Sequence, residues 1–413
     1  MVTLLSLQSR VVPPFSPPTK PLTVLPIVYD SPMAMKSASS WPALLREDPR
    51  ASVRAYIDAT LTALVDQLAL SHHGHPCITL RRRANSVNCV INPTNGALEP
   101  AGRTETYRSY SWPGSSVYES WKFTVILRVL AIIDQALHKG EDIYYIDTAY
   151  FRSQETVNGI IDDIAYTIGV DRAALNVEAA GKGLVAGCFR LRRDSILILD
   201  ADSSNEDTMI PRIQEDDQID ISGARWVFII EKEAVFHRLV RSTYHKRAII
   251  GGGILVTGKG YPDLYTREFI RRLFDSASGS NQRLPRFYAL VDGDPHGIAI
   301  MSTYKYGSLA HMHENARLSI PGLQWLGLRV EDTVLASQVS ENTKFLPLTD
   351  GDRKKIITML RNSPVWASNG PEPEWRLELQ RMLMLNVKAE IEMLYERDGG
   401  LEGWIDQKIF RQD

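Results

Sequence analysis

Cysteine is scarce in this 413-residue chain, which contains only Cys77, Cys89 and Cys188. Their spacing matches neither a zinc ligand set nor a disulfide framework, so a disulfide-stapled scaffold is excluded and a reducing compartment is expected. Long apolar runs are also lacking, because no stretch of eighteen apolar residues occurs, and we expect no transmembrane helix and no membrane partner. The N-terminus lacks a charged-then-apolar leader, so we expect no secretory signal peptide.

A net charge of either sign is nearly absent, because 47 Lys and Arg residues face 49 Asp and Glu residues. The resulting formal charge of −2 neither predicts nor excludes nucleic-acid binding, since a basic groove can lie within an acidic surface. Hydrophobic residues make up 44% of the chain. This is enough for two or three packed domains of ordinary size.

The composition divides the chain into three parts. Residues 1–40 are rich in Pro and small polar residues and predict a disordered tail. Residues 41–205 predict several helices followed by Gly-punctuated, strand-like sequence. After an acidic, loop-like stretch, residues 206–413 alternate apolar strands with amphipathic helices. This βαβ rhythm predicts a parallel sheet covered by helices.

Residues 153–177 predict a helix-turn-helix. Isoleucines between 160 and 168 form one apolar helical face, Gly169 marks the turn, and Asp171 begins a short second helix. The strand-like sequence over 181–200 then follows in the position of a wing. Together these features favour a winged-helix domain, although many helix pairs bind no DNA.

Three carboxylates follow apolar strands of the second half. Glu231 comes directly after WVFII, and Asp292 and Asp294 come after YALV, separated by Gly293. Because the carboxyl ends of parallel strands share one edge of a sheet, these acids can turn toward one point. Oxygen ligands of this type suit Mg²⁺. The alternative, that the Asp-Gly-Asp tripeptide is a surface turn, stays open.

Several basic and histidine-rich stretches are less informative. From Gly253, the chain matches the outline of a phosphate-binding loop, but Gly260 stands where Ser or Thr should bind the cation. A glycine turn that presents Lys259 to a phosphate is the alternative. Lys182 and Arg190 also lie near glycines, where backbone and phosphate can approach closely. The stretch SHHGHPC is more typical of a polar loop than of a zinc site.

The stretch EDIYYIDTAY contains the adjacent tyrosines Tyr144 and Tyr145. By pattern alone, adjacent tyrosines in an apolar-polar run are typical packing residues. The residues around them therefore leave the role of either phenol open.

Seven stretches, taken in order, resemble the motifs of one family, the A subunit of type IIB DNA topoisomerase (topoisomerase VI) and its eukaryotic relative, the meiotic double-strand-break transesterase. The resemblance covers about residues 50–400, and it is specific because the stretches occur in the same order as the motifs of the family. The stretches are DIYY, ALNVEAAGKGLVAG, FIIEKEAVF, TGKGYPDLYTR, LVDGDPHGI, YKYGS and WLGL.

The resemblance implies a mixed α/β chain, with a winged-helix (CAP-like) domain that carries a reactive tyrosine, followed by a Toprim α/β domain. It implies Tyr145 as the nucleophile, which leaves Tyr144 as a packing residue. It also implies that Glu231, Asp292 and Asp294 hold Mg²⁺, with Glu233 less suited because it lies at a helix start. Lys182, Lys259 and Arg190 are the candidate DNA contacts.

The partners implied are double-stranded DNA, a second copy of the chain, a topoisomerase VI B-like partner and other meiotic accessory proteins. The EKEAVF and KGLVAG motifs and the Pro/Ser-rich tail favour the eukaryotic meiotic branch, and we therefore expect the protein in the nucleus. The alternatives are a topoisomerase VI A subunit that works with a partner ATPase, and a non-cleaving DNA-binding relative. Glu141, which stands where the family usually has Arg, permits the second alternative.

Overall fold

The computed structural model describes residues 48–69, 75–83, 89–102, 106–139, 148–177, 181–214, 216–278, 284–332 and 346–411. Helices α1 to α12 span, in chain order, Pro49–Ala69, Val117–Lys139, Thr148–Phe151, Gln154–Ile168, Glu233–Arg241, Tyr244–Arg247, Leu264–Ser278, Pro295–Lys305, Asn315–Leu318, Asp350–Asn362, Pro373–Leu385 and Gly400–Phe410. Strands β1 to β15 span Cys77–Arg81, Cys89–Ile91, Leu98–Pro100, Tyr107–Ser111, Leu184–Gly187, Arg190–Arg193, Ile196–Asp200, Thr208–Met209, Gln218–Asp220, Trp226–Ile230, Gly253–Thr257, Arg286–Leu290, Gln324–Gly327, Leu346–Pro347 and Val387–Lys388.

Helix α4 has the boundaries that its capping residues predict. The Ser153 hydroxyl accepts a hydrogen bond from the Thr156 N–H, and Gly169 ends the helix in the left-handed region at φ 82°. The predicted second helix is only a 3₁₀ turn over Ala173–Leu175, because Asn176 adopts a left-handed conformation directly after it. The helix-turn-helix is thus shorter than predicted.

The segment predicted as a wing divides between two sheets. Strand β5 pairs antiparallel with β11 in the main sheet, whereas β6 and β7 form a separate three-stranded sheet with β9. The physical reason is burial: all four residues of β5 are buried, which suits a covered sheet and not an exposed wing. The described residues from 48 onward belong to one compact unit, and a domain boundary at 205 stays a prediction.

The main sheet has the strand order β13-β12-β10-β11-β5-β8. Strands β10 to β13 run parallel and are connected by helices α5 to α9. At one edge, β5 pairs antiparallel with β11, and β8 pairs antiparallel with β5. This confirms the βαβ interpretation of the second half. The chain has the mixed α/β fold that the sequence predicts.

Both faces of the sheet are covered. Trp226 and Phe228 of β10 belong to one hydrophobic core and Val227 and Ile229 to another, so alternate side chains point to opposite faces. Every residue of β10 and β11 is buried. Because the strand interiors are filled in this way, polar chemistry is confined to the strand ends. Among the described helices, none is long and apolar enough to cross a membrane.

The N-terminal part contacts the loop after α8 through charged residues. Arg83 bonds to Asp163 at 2.7 Å and donates to the carbonyl oxygen of Ala310 at 3.0 Å. His311 lies 3.8 Å from the Asp162 carboxylate. His311 and His313 are only partly exposed, because they pack in this contact.

Candidate metal centre at the carboxyl edge of the sheet

Glu231 and Asp292 leave the sheet side by side. Strands β10 and β12 are parallel neighbours with Ile230 aligned to Leu290, so the residues that follow emerge at the same edge. The Glu231 N–H donates to the Leu290 carbonyl at 3.1 Å. The Asp292 N–H in turn donates to Oε2 of the Glu231 carboxylate at 3.0 Å. The predicted convergence of these two acids is therefore observed.

Asp294 lies at the start of α8. Its Oδ1 accepts a hydrogen bond from the Gly297 N–H at 2.7 Å, and Pro295 occupies the first turn, as is usual after a capping residue. Between the two aspartates, Gly293 exchanges backbone hydrogen bonds with Ala389 at 2.9 and 3.1 Å. The Asp-Gly-Asp tripeptide is thus held between the sheet and a C-terminal segment, and is not a free surface turn.

The surroundings of the acids disfavour their ionised forms. Burial raises the pKa of Glu231 to about 7, with further contributions from the Asp292 and Asp294 carboxylates. Burial likewise raises the pKa of Asp292 to about 6, although hydrogen bonds from Ile391 N–H and Lys232 oppose the shift. A bound cation would favour the ionised form of both acids.

Lys232 is a residue that the sequence analysis did not single out. Its ammonium lies 2.9 Å from Oδ2 of Asp292 and 2.7 Å from Glu392, and Glu390 lies 3.7 Å away. The Ile391 N–H bonds to the other Asp292 oxygen at 3.0 Å. Asp292 is therefore held by the C-terminal segment directly through one oxygen, and through Lys232 by the other. Only the position of Lys232, directly after a strand-end acid, could have signalled this role.

The donor chemistry fits a hard divalent cation. Three carboxylates supply oxygen ligands of the type that Mg²⁺ prefers. Gly297 allows α8 to approach them, because a Cβ there would collide with the Asp292 carbonyl oxygen and lie 3.1 Å from Oε2 of Glu231. However, no group of three or more His, Cys, Asp or Glu side chains among the described residues forms a ready ligand set. Only the Glu231–Asp292 pair is directly joined.

The structure brings two of the three candidate DNA contacts together. The Lys182 ammonium donates to the Lys259 carbonyl at 3.2 Å, and the Lys259 ammonium lies 2.9 Å from Glu233. The Gly260 N–H donates to the Glu231 carbonyl at 2.9 Å, so the lysine-bearing turn is anchored at the acid edge. Glu233 is the first residue of α5, as predicted.

Two other predicted features lie elsewhere. Arg190, on β6 of the three-stranded sheet, bonds to Asp200 at 3.3 Å and Asp202 at 2.6 Å. The chain from Gly253 does not form a phosphate-binding loop, because Gly253–Thr257 is strand β11 and the next helix begins only at Leu264. The glycine-turn alternative fits Lys259, which has a left-handed φ of 53°.

The predicted nucleophile lies outside the described residues. Residues 140–147, which include Glu141, Tyr144 and Tyr145, are not among them, and neither are His72 and His73. The described chain resumes at α3, three residues after Tyr145. The assignment of the nucleophile to Tyr145 stays a prediction.

Known proteins match both parts of the chain. The family described as the Toprim domain of Spo11 and of the topoisomerase 6 A subunit matches residues 226–408, and the family described as type IIB DNA topoisomerase matches residues 121–177. The first match contains all three acids of the candidate metal centre. The second contains Tyr145.

Relatives match over most of their lengths. Meiotic recombination protein rec12 of Schizosaccharomyces pombe is 32% identical over 371 residues, which cover 89% of this chain and 96% of the relative. Meiotic recombination protein SPO11 of Mus musculus is 33% identical, with 79% of each chain covered. The DNA topoisomerase 6 A subunit of Arabidopsis thaliana is 32% identical over 68% of this chain and 64% of its own. The chain belongs to the family formed by Spo11 and the topoisomerase VI A subunit.

Proposed function

We propose that this chain is a DNA-cleaving transesterase that forms the double-strand breaks of meiotic recombination. The observation that carries the proposal is the pair Glu231 and Asp292 at the carboxyl edge of the sheet, inside the Toprim match. The Asp292 N–H donates to the Glu231 carboxylate at 3.0 Å. Relatives named as meiotic recombination proteins, similar over most of the chain, support the meiotic role.

Tyr145 is the proposed nucleophile. Its phenolic oxygen forms a bond to a DNA phosphorus while the bond from phosphorus to the 3′ oxygen breaks. The phenol loses one proton and the released 3′ hydroxyl gains one, so a 5′ phosphotyrosyl link replaces one phosphodiester without hydrolysis. A phenol with a pKa of ~10 is only about a thousandth ionised at neutral pH, so the site must stabilise the phenolate or accept its proton.

The acids and lysines of the described site supply the electrostatics. Glu231, Asp292 and Asp294 would hold Mg²⁺, which when bound stabilises negative charge on the attacked phosphate. Lys232 keeps Asp292 in place through its 2.9 Å contact. Lys259, on the turn anchored at Glu231, and Lys182, which donates to the Lys259 carbonyl, are the proposed contacts to DNA phosphates. Arg190 is a weaker candidate, because two carboxylates already pair with it.

One tyrosine cuts one strand, so a double-strand break requires two copies of the chain on double-stranded DNA. We therefore propose a homodimer in which the tyrosine of one copy works with the acids of its partner. A topoisomerase VI B-like partner and meiotic accessory proteins complete the assembly, and chromosomal DNA as substrate implies the nucleus.

A topoisomerase VI A subunit is the second candidate function, because a relative of that name is 32% identical. The two functions differ in their need for a partner ATPase. Strand passage that depends on ATP and on a partner ATPase would favour the topoisomerase, and breaks confined to meiotic cells would favour the proposed role. A non-cleaving relative, which Glu141 permits, would form no covalent link in either case.

The test is covalent capture. The full chain, tagged at one end, is isolated from meiotic cells under denaturing conditions and probed for attached DNA. We expect attached DNA with the natural chain and none with Tyr145→Phe, which removes only the hydroxyl. Absence of attached DNA from cells in which breaks form normally would refute the proposed function.

A further inference from the structure

A basic cavity lies where the N-terminal part meets the loop after α8. It has a volume of about 360 Å³, and none of the residues of the metal centre line it. Four arginines line the cavity, Arg81, Arg82, Arg83 and Arg108, against a single carboxylate, Asp163. The lining therefore carries an excess of positive charge in a partly enclosed space.

Arg83 and Arg81 are held by contacts with other groups of the protein, as Arg108 is by the Tyr110 ring, whose centre lies 5.1 Å from its guanidinium. Arg83 bonds to Asp163 at 2.7 Å and Asp162 at 3.4 Å, and also donates to the Ala310 carbonyl. The Arg81 guanidinium lies 4.6 Å from the centre of the Tyr166 ring, a cation–π distance. These contacts give one wall of the cavity a defined geometry.

The other two arginines have no carboxylate partner in the described part of the chain. Strand β1 pairs with β4 so that Leu80 is opposite Arg108, and the Arg82 N–H donates to the Thr106 carbonyl at 2.7 Å. Because side chains alternate along a strand, Arg82 and Arg108 lie on the same face as diagonal neighbours. Both side chains are exposed. Like charges at such positions repel, and an anion between them would relieve the repulsion.

The remaining lining is apolar. Leu80 and Tyr110 are buried and form the part of the cavity between the arginines, and Leu309 contributes a further apolar surface. An apolar lining lowers the local dielectric and so strengthens the attraction between guanidinium groups and an anion. A volume of about 360 Å³ exceeds that of an inorganic anion alone and lies within the range of small-molecule sites.

We propose that this cavity binds a phosphate group, carried either by a nucleic-acid backbone or by a free nucleotide. Planar guanidinium groups bind phosphate oxygens in pairs, which matches the placement of Arg82 and Arg108 on one face. The backbone source rests on the proposed function, because it requires DNA to reach this side of the chain. The nucleotide source does not depend on it.

The experiment uses the full chain with the double substitution Arg82→Gln and Arg108→Gln. Its matched control is Arg50→Gln with Arg361→Gln, which removes two exposed arginines that also lack a carboxylate partner among the described residues. Because all four side chains are exposed, both variants should unfold at the temperature of the parent chain, and thermal unfolding checks this. A third variant with Arg82→Lys and Arg108→Lys keeps the charge but not the paired geometry.

The first arm measures affinity for a short labelled DNA duplex by fluorescence anisotropy between about 50 and 200 mM KCl. We expect the glutamine variant at 82 and 108 to bind about tenfold more weakly than the control. We also expect its plot of log affinity against log salt to be shallower by about one unit. The lysine variant should keep the salt slope and lose part of the affinity. This result identifies the nucleic-acid backbone as the source of the phosphate.

The second arm titrates AMP and, separately, inorganic phosphate into the same proteins by calorimetry. Binding of AMP to the parent and the control, its loss in the glutamine variant, and unchanged DNA binding identify a free nucleotide as the source. The proposal is overturned if the glutamine variant matches the control in both arms. If the parent chain binds no DNA at all, the proposed function fails, and the AMP titration still tests whether the cavity binds a phosphate group.

Discussion

The backbone N–H of Asp292 donates a hydrogen bond to the side-chain carboxylate of Glu231 across two neighbouring strands, at 3.0 Å. The alignment of Ile230 with Leu290 fixes this relationship, so the sheet register itself places the two acids. Burial and the Asp292 carboxylate raise the pKa of Glu231 to about 7, and burial and the Asp294 carboxylate raise the pKa of Asp292 to about 6. A bound divalent cation would stabilise the ionised form of both acids.

The acids should be required for cleavage but not for folding. Glu231→Gln and Asp292→Asn each remove one charge and keep the shape of the side chain. We expect cleavage to fall at least about a hundredfold, because a loss of about 3 kcal/mol in charge stabilisation is typical when a catalytic metal is lost. Affinity for uncut DNA should change less, since it depends on basic residues.

Asp350→Asn is the matched control, because this side chain is 95% exposed at the start of α10. The control should cut DNA as the parent does. Mg²⁺ should raise the unfolding temperature of the parent and the control, and less that of the two acid variants. Cleavage by Glu231→Gln at the rate of Asp350→Asn would remove the acid pair from the mechanism.

Asp294 should have two separable roles. Asparagine caps a helix as well as aspartate does, so Asp294→Asn should keep the stability of α8 and lose only the charge. Asp294→Ala should lose the cap as well and destabilise the chain by about 1 kcal/mol in urea unfolding. We expect both variants to cut DNA more slowly than the parent. Normal cutting by Asp294→Asn would mean that Asp294 serves only as a helix cap.

The strand ends were predictable from sequence because parallel strands buried on both faces have few polar residues. Glu231 and Asp292 interrupt continuous apolar runs, so the sequence located them without knowledge of the register. The wing prediction was wrong for Leu184–Gly187 because a four-residue apolar run fits a wing or a covered edge equally well. Only its pairing with β11 decides between them.

Long-range polar contacts could not be predicted, because nothing local encodes them. Lys232 contacts Glu392, which lies 160 residues away in sequence, and Arg83 contacts Ala310 across 227 residues. Likewise, the sequence around His311 is typical of a surface loop, and only the packing of His311 against Asp162 shows that it is partly buried. The role of Tyr145 came from the family resemblance and not from local pattern.

His311 should make the chain sensitive to acid. Burial lowers its pKa to about 4; the Asp162 carboxylate opposes this shift, and the cations Arg172 and Arg267 reinforce it. Because the folded-state pKa lies below the ordinary value of ~6.5, the unfolded chain takes up the proton first as the pH falls. The associated stability is present at neutral pH and is lost between about pH 6.5 and 4, by at most about 3 kcal/mol.

The measurement is urea unfolding of the parent and of His311→Gln across this pH range. The variant should lose less stability than the parent as the pH falls. His138→Gln, at a histidine whose side chain is 63% exposed, provides the comparison. Equal pH dependence for all three proteins would show that His311 does not contribute to acid sensitivity.

Glu141 is predicted to weaken the contact with DNA, because a carboxylate near a phosphate is repulsive. Glu141→Arg should therefore make the free energy of DNA binding more favourable, or lower the free-energy barrier to cleavage, by about 1–3 kcal/mol, as expected for one charge-assisted contact. An added phosphate contact should also steepen the salt dependence of binding. Glu141→Gln separates the loss of repulsion from the gain of a contact. Unchanged affinity, salt slope and cleavage in both variants would place residue 141 away from the DNA.

The most direct measurement is to identify the residue that carries DNA in the covalent complex. Trypsin cleavage after Lys139 and Arg152 gives the peptide GEDIYYIDTAYFR, which contains Tyr144, Tyr145 and Tyr150. Tandem mass spectrometry of this peptide, after nuclease digestion of the DNA, locates the attached nucleotide. The proposed function predicts the nucleotide on Tyr145, its loss in Tyr145→Phe and its retention in Tyr144→Phe. A nucleotide on Tyr144, or linkage that survives Tyr145→Phe, would contradict it.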